Sequence, residues 1–182
     1  CGHPARGVPS LIAAVGLMRD AGRDVALRMI NAQYPVPQSA ALVAEVKTQI
    51  AARGLNDHVD LCTDFLEDDE SLERLSEAHL LAFPYRPTSE SASGAVRQAL
   101  AISRPIAVTP LPIFDDVRGL VLALPGFSPS EIAEGLSAIM DEMQVLPAEG
   151  PVAQSLARGT GWRQATGYGP LSRRLWALLQ AI

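Results

Sequence analysis

The stretch from Leu80 to Thr109, LLAFPYRPTSESASGAVRQALAISRPIAVT, constrains the fold of this chain more than any other. Leu80 to Phe83 is a short apolar run closed by Pro84, and Ile106 to Thr109 is a second one opened by Pro105. Both have the composition of buried strands. Between them Ala95, Val96, Ala99, Leu100 and Ile102 recur at three- and four-residue intervals, which places them on one face of a helix able to cover those strands. Strand, crossover helix and strand make a βαβ unit, whose strands run parallel with a right-handed crossover. The fold class expected is α/β: a Rossmann-like three-layer sandwich with a mostly parallel sheet.

The polar segment from Arg86 to Gly94 lies where the first strand hands over to the helix, at the carboxyl edge of the sheet where open α/β folds bind ligands. Ser91, Ala92, Ser93 and Gly94 are small enough for a ligand to approach the backbone, and the first free amides of the helix suit an anion such as phosphate. Glu90 repels phosphate, so its natural ligand atoms are sugar hydroxyls. The same residues also read as a helix cap, with Ser89 or Ser91 at the N-cap and Glu90 as an early acid.

Other segments fit the same architecture. Leu11, Ile12, Val15 and Met18 share a helical face that stops at Ala21-Gly22, and Val25 to Ile30 reads as a strand. A helix over about Ser39 to Ala52 turns Leu42, Val43, Val46 and Ile50 inward and stops at Gly54. Val59 to Cys62 is a brief strand. Asp68, Asp69 and Glu70 lead into Leu72 and Leu75 at helical spacing and are expected to start a helix. Pro110 to Val117 is too proline-rich for a central strand and is expected as a loop, with Asp115 and Asp116 in turn or early helical roles. Gly119 to Leu124 reads as the next strand. Ser128-Pro129-Ser130-Glu131 starts a helix with Ile132, Leu136, Ile139 and Met143 as its buried stripe. From Pro147 two further apolar-periodic pieces follow, one near Trp162 and one through Leu171, Leu175, Leu178 and Leu179, with Trp162 and Trp176 as core or interface anchors. Tyr85 either covers a ligand or closes the sheet edge, and its position favours the second.

Composition narrows the chemistry. A 182-residue chain with 48% apolar and 19% charged residues suits one globular domain. No apolar run reaches bilayer length and no signal sequence is evident, so a cytoplasmic location is the default expectation. A net charge of −5 argues against nucleic acid as main partner. Fourteen of the 15 basic side chains are Arg and the remaining one is Lys47, which removes a Walker-type loop and a Schiff-base lysine. Phosphate contacts must therefore come from Arg, whose planar fork matches a diphosphate. Cys1 and Cys62 lack metal or redox spacing, and His58 and His79 have no ligand partners in sequence, so no metal site is expected. A nicotinamide-binding G-x-G-x-x-G turn is absent as well.

Taken together, Pro84-Tyr85, Glu90-Ser-Ala-Ser-Gly, Gln98-Ala99-Leu100-Ala101 and Arg104-Pro105-Ile106-Ala107-Val108-Thr109 resemble the carboxyl-terminal, donor-binding domain of retaining glycosyltransferases of family four, which have the GT-B fold. In that family a Glu, seven residues and Glu-Ala precede a strand of the Gly-x-Pro-Val-Val kind. Gln98 stands here in place of the second acid, and its amide can accept one hydrogen bond and donate two. The resemblance implies Glu90 as the catalytic residue that orients the sugar. It implies a donor site made of Arg6 and Gly7 at the diphosphate, Thr63, Phe65 and Leu66 at the base, Ser91 to Gly94 at the phosphates and Gln98 at the ribose. It implies a nucleotide sugar as donor substrate, hexosyl transfer with retention, and no metal or other cofactor. The family's acidic residue after a glycine-rich turn has no counterpart, since Pro110, Pro112 and Phe114 occupy that place.

Because the chain opens on a turn-rich loop and holds one domain's worth of residues, it is expected to be part of a two-domain enzyme. Its partner is then an amino-terminal acceptor-binding domain, through which peripheral membrane contact is also expected, and the segment 147–182 is a helical tail. The isolated chain is expected to be inactive without that domain. A non-catalytic Rossmann-like binding or protein-interaction module is the alternative, which the Gln98 departure allows.

Overall fold

The structure, a computed structural model, describes residues 7–88, 90–145, 149–166, 176 and 180. Helices and strands alternate along the chain: α1 (Val8–Asp20), β1 (Leu27–Ile30), α2 (Pro37–Ala52), β2 (Val59–Cys62), α3 (Asp68–Ser76), β3 (Leu81–Phe83), α4 (Gly94–Ala99) and β4 (Ile106–Val108). A 3-10 helix (Pro112–Val117), β5 (Leu122–Ala123), α5 (Pro129–Val145) and α6 (Pro151–Thr166) complete it. Every strand pair is parallel, as the crossover helices require. The strands form two pieces, β1-β2 and β3-β4-β5. Leu27 lies opposite Val59 in the first, and Leu81 opposite Ile106 in the second.

Alternation along the strands divides the side chains between two helical layers. Ala107 of β4 and Ala82 of β3 face a core with Leu11, Val15 and Met18 of α1 and Ile132, Leu136 and Ile139 of α5. Ile106, Val108, Leu81 and Phe83 face the opposite side, where Val96 and Ala99 of α4 and Phe114 of the 3-10 helix cover them. A third core joins Ile12 of α1 to Met29, Val59, Val46 and Ile50 beneath α2. The expected three-layer α/β arrangement is therefore present, with α1, α2 and α5 on one face and α3 and α4 on the other.

Chain punctuation explains the boundaries. Gly22 and Gly54, both at positive φ, follow α1 and α2 as their stops. Asp68, Asp69 and Glu70 occupy the first turn of α3. At α5 a capping box forms: the Ser128 amide donates to Glu131 Oε2 at 2.9 Å and the Glu131 amide to Ser128 Oγ at 3.3 Å. Arg23, just past α1, forks onto Asp141 of α5 at 2.7 and 2.6 Å and ties the two helices together.

Several expectations are corrected. Pro110 to Val117 is not an open loop; the 3-10 helix folds there and buries Ile113, Phe114 and Val117. Its turns continue through Leu120, whose amide donates to the Val117 carbonyl at 2.8 Å, and this shortens the expected Gly119–Leu124 strand to two residues. The N-cap of α4 is Ser93, since its hydroxyl, and not that of Ser91, accepts the Val96 amide. Ala95 is exposed, because α4 has only six residues and its buried face is Val96 and Ala99. Trp162 packs against the core around α4 as anticipated, whereas Trp176 is 63% exposed. Leu171, Leu175, Leu178 and Leu179 lie outside the described residues, as do Cys1 and Ser89. No helix among the described residues is long and apolar enough to cross a membrane.

Two predictions follow from this packing. Ile132, 0% exposed between α5 and the α1 core, should cost about 2–5 kcal/mol when cut to Ala, the usual range for a large buried aliphatic; denaturant unfolding measures it. The Ser128 hydroxyl holds the Glu131 carboxyl below its ordinary pKa. That stabilisation is present above the unfolded carboxylate range and is lost as pH falls through the folded value. Ser128→Ala should accordingly lower Tm at neutral pH, with the gap to the parent narrowing on acidification in melts over a pH series.

Candidate functional site

Parallel strands send all their carboxyl ends to one edge, so the loops after β1, β2, β3 and β4 gather there. The amino end of α1 joins them. Gly7 caps α1 at φ 67°, and a side chain there would run into the Pro84 carbonyl just after β3. Only glycine satisfies both the left-handed backbone and that close approach. Ser10, in the first turn of α1 and buried, accepts a hydrogen bond from Arg86 Nη2 at 3.2 Å, which anchors the β3 loop to the helix.

The loop after β3 is braced from below. Tyr85 is buried, its ring packs edge-on against Phe83 at 6.1 Å and tilted against Phe114 at 5.4 Å, and its hydroxyl lies 3.2 Å from Ser93 Oγ. The Tyr85 carbonyl accepts the Thr109 hydroxyl at 2.6 Å. Tyr85 thus closes the sheet edge, as its position favoured. These contacts hold Ser93 inside the fold, 4% exposed, and present Glu90, Ser91 and Gly94 on the surface above it. Open space surrounds Gly94.

A cleft of about 990 Å³ runs between β1 and β3 and reaches this edge, where Phe65, Leu66, Pro84, Tyr85 and Gln98 line it. Phe65 is 81% exposed, Leu66 is half-buried and Gln98 is exposed. Phe65, Leu66 and Gln98 therefore line the same cleft. Thr63 instead lines a small neighbouring cavity of about 30 Å³ with Val8, Ala32 and Ser39. Glu90 and the segment from Ser91 to Gly94 stand outside the lining of the cleft, with Glu90, Ser91 and Gly94 on the surface and Ser93 buried; the Glu90 amide donates to Thr88 Oγ1 at 3.3 Å. Arg6 lies outside the described residues.

Arg86 was not singled out from the sequence. The signal was available, because phosphate contacts here fall to Arg and Arg86 immediately follows the strand-ending Pro84-Tyr85. What the sequence does not show is its attachment to Ser10, which places a cation beside the first turn of α1. Arg97 is also near, yet it pairs with Asp116. Asp115 pairs with Arg118 at 2.6 Å, so both acids of that pair have structural partners. Among the described residues no group of three or more His, Cys, Asp or Glu side chains is arranged to hold a metal ion.

No protein-family model matches the chain, and no curated protein matches it. Solved structures do. HepE from Anabaena in complex with UDP superposes with a TM-score of 0.75 at 13% identity, over 99% of this chain and 46% of HepE. Sucrose-phosphate synthase from Thermosynechococcus elongatus gives 0.73 at 15% identity, over 97% of this chain and 44% of the synthase. The carboxyl-terminal domain of LpcC, a glycosyl transferase group 1 family protein from Francisella tularensis, gives 0.69 at 12% identity, over 90% of this chain and 80% of that domain. The chain thus spans less than half the length of the first two. These neighbours are GT-B glycosyltransferases, and the chain has the α/β fold of their Rossmann-like domains.

The Gly7 geometry is testable by itself. Gly7→Ala should destabilise the chain by more than the roughly 1–2 kcal/mol that an L-residue pays in the left-handed region, because the Pro84 carbonyl must also move. Denaturant unfolding of the variant checks this, and a loss smaller than that would show that the contact yields easily.

Proposed function

We propose that this chain is the nucleotide-sugar-binding half of a glycosyltransferase. One observation carries the reading: 99% of the chain follows the backbone of about half of HepE, which was crystallised with UDP. The amino end of α1 meets the end of β3 at Pro84, where the cleft also opens. In this reading Arg6, with Arg86 beside the first turn of α1, meets the diphosphate, together with the amides of the segment Ser91 to Gly94. Thr63, Phe65 and Leu66 receive the base, and Gln98 the ribose. Glu90 orients the sugar beside the anomeric carbon, and the growing charge on the departing diphosphate is met by Arg without a metal.

The finer reading is hexosyl transfer with retention of configuration. It rests on the Glu90-to-Gln98 spacing and the strand that follows it. Transfer also needs an acceptor surface and an enclosed cleft, which a second domain supplies. Binding and turnover then separate in the isolated chain.

Calorimetric titration with UDP and other nucleoside diphosphates tests this. Saturable binding of at least one is expected, with Arg6→Ala and Arg86→Ala each weakening it by about 1.5–3 kcal/mol, the scale of a hydrogen bond to a charged group. Glu90→Gln should leave free-nucleotide affinity nearly unchanged. Binding to none of them would favour the protein-interaction module, and unchanged affinity in both arginine variants would remove the diphosphate from this edge.

A further inference from the structure

We infer, resting on the nucleotide-sugar reading, that Tyr34 joins Phe65 in holding the donor's base by its flat face, so that this edge takes purine and pyrimidine nucleotides alike and ranks them by stacking area. Exposed apolar side chains are ordinary when scattered and informative when gathered. Among the described residues the large exposed ones are Leu17, Tyr34, Val36, Phe65, Val145 and Trp176. Three of these, Tyr34, Val36 and Phe65, stand on the loops that follow β1 and β2, at the carboxyl edge where parallel sheets take ligands. The rings after β3 and β4 do the opposite: Phe83, Tyr85 and Phe114 pack on one another in the core.

The backbone ties the two loops together. The Asn31 amide donates to the Cys62 carbonyl at 3.0 Å and the Gln33 amide to the Thr63 carbonyl at 2.8 Å, which carries the pairing of β1 with β2 beyond the strands. Tyr34 follows at once on one loop and Phe65 two residues on in the other, and both line the cleft. Tyr34 is also held from α2. Its amide donates at 3.0 Å to Oγ of Ser39, a buried residue in the first turn of that helix, and its carbonyl accepts the Val36 amide at 2.8 Å. A ring 49% exposed on a backbone fixed at both its polar groups is a platform set before any ligand arrives.

The same bonds decide how a base is recognised. From Gln33 to Pro37 every amide is engaged within the protein, and Pro35 and Pro37 have none. This loop therefore has no backbone donor left to read the edge of a base, where one nucleobase differs from another. What it offers is the face of a ring, and every nucleobase has a π-face to lay against it. The phenol hydroxyl can donate or accept, so it suits either kind of edge. Purines, with two fused rings, cover more of the platform than pyrimidines, and choice among donors falls to the diphosphate and sugar ends.

Calorimetric titration of the 182-residue chain with UDP, CDP, ADP, GDP and inorganic pyrophosphate tests this. All four nucleotides should bind, ADP and GDP more tightly than UDP and CDP, and their base protons should move upfield in the NMR spectrum as stacking on a ring requires. Tyr34→Ala and Phe65→Ala should each weaken all four by about fivefold or more, the lower end of what stacking on an aromatic side chain contributes. Both should leave pyrophosphate, which has no base, as it was, and Tyr34→Phe should bind like the parent because the ring face remains. Binding of one nucleotide with rejection of the other three would show edge recognition and overturn the inference. So would unchanged nucleotide affinity in Tyr34→Ala, or an equal loss for pyrophosphate; either leaves the nucleotide reading standing. Self-association abolished by Tyr34→Ala with nucleotide affinity intact would assign the rings to a second copy and overturn it equally. Binding of no nucleotide at all overturns both readings, so the two failures are told apart.

Discussion

Parallel strand pairing is the constraint on which the rest of this structure depends. A parallel neighbour can be reached only by a crossover, and a crossover must be covered, so each strand is followed by a helix that packs on one face or the other. The consequence reaches the site directly. With every strand pointing one way, the loops that follow β1, β2, β3 and β4 have no choice but to share an edge, and the amino ends of the return helices share it too. Gly7 shows how tightly: α1 starts so near the end of β3 that the Pro84 carbonyl leaves no room for a side chain. The residues gathered at this edge come from distant parts of the sequence and are neighbours only because of the sheet.

The helices, more than the strands, supply the burial that holds this arrangement. The strands contribute four, four, three, three and two residues, too little backbone pairing to hold the layers by itself. Small side chains in the sheet do the converse service. Ala107 on β4, fully buried, lets α1 and α5 approach the sheet and each other, and their aliphatic faces then merge into one core. Arg23 and Asp141 close the rim of that contact from solvent, where Arg23 keeps the Asp141 carboxyl ionised below the usual range. At the other face Arg28 bridges Asp60 and Glu77, joining β1 and β2 to the end of α3.

Most of this was legible in the sequence because the signals are local. Proline on either side of apolar runs marked β3 and β4, glycine after helical faces marked the ends of α1 and α2, and the Ser128–Glu131 pair marked the start of α5. The misreadings share a different cause. Ser89, Ser91 and Ser93 are equivalent caps by residue type, and what selects Ser93 is the Tyr85 hydroxyl reaching it from β3's end, a contact without a sequence signature. The 3-10 helix at Pro112 forms where prolines argue against a strand but say nothing about Ile113 and Phe114 plugging the core around α4. Of the expected site residues, Phe65, Leu66 and Gln98 line the cleft and Thr63 does not, while Arg86 emerges only through Ser10. The pattern that spans Glu90 to Gln98 encodes a loop and a short helix; it does not encode how far apart the two ends stand once α4 has turned.

That separation matters for how such an edge can divide its work. Gln98 of α4 lines the cleft and Glu90 is exposed on the loop before α4, while Tyr85, Ser93 and Thr109 hold the base of that loop between them. A base held by these bonds leaves Glu90, Ser91 and Gly94 exposed above it. It also explains why the buried polar atoms of this region are spent on structure: the Ser93 hydroxyl is committed to the Val96 amide and the Tyr85 hydroxyl, and the Thr109 hydroxyl to the Tyr85 carbonyl. The surface above them carries Arg86, Glu90, Ser91 and Gly94, all exposed. Loss of Tyr85, of Thr109 or of the Arg86–Ser10 contact therefore acts on the position of the loop.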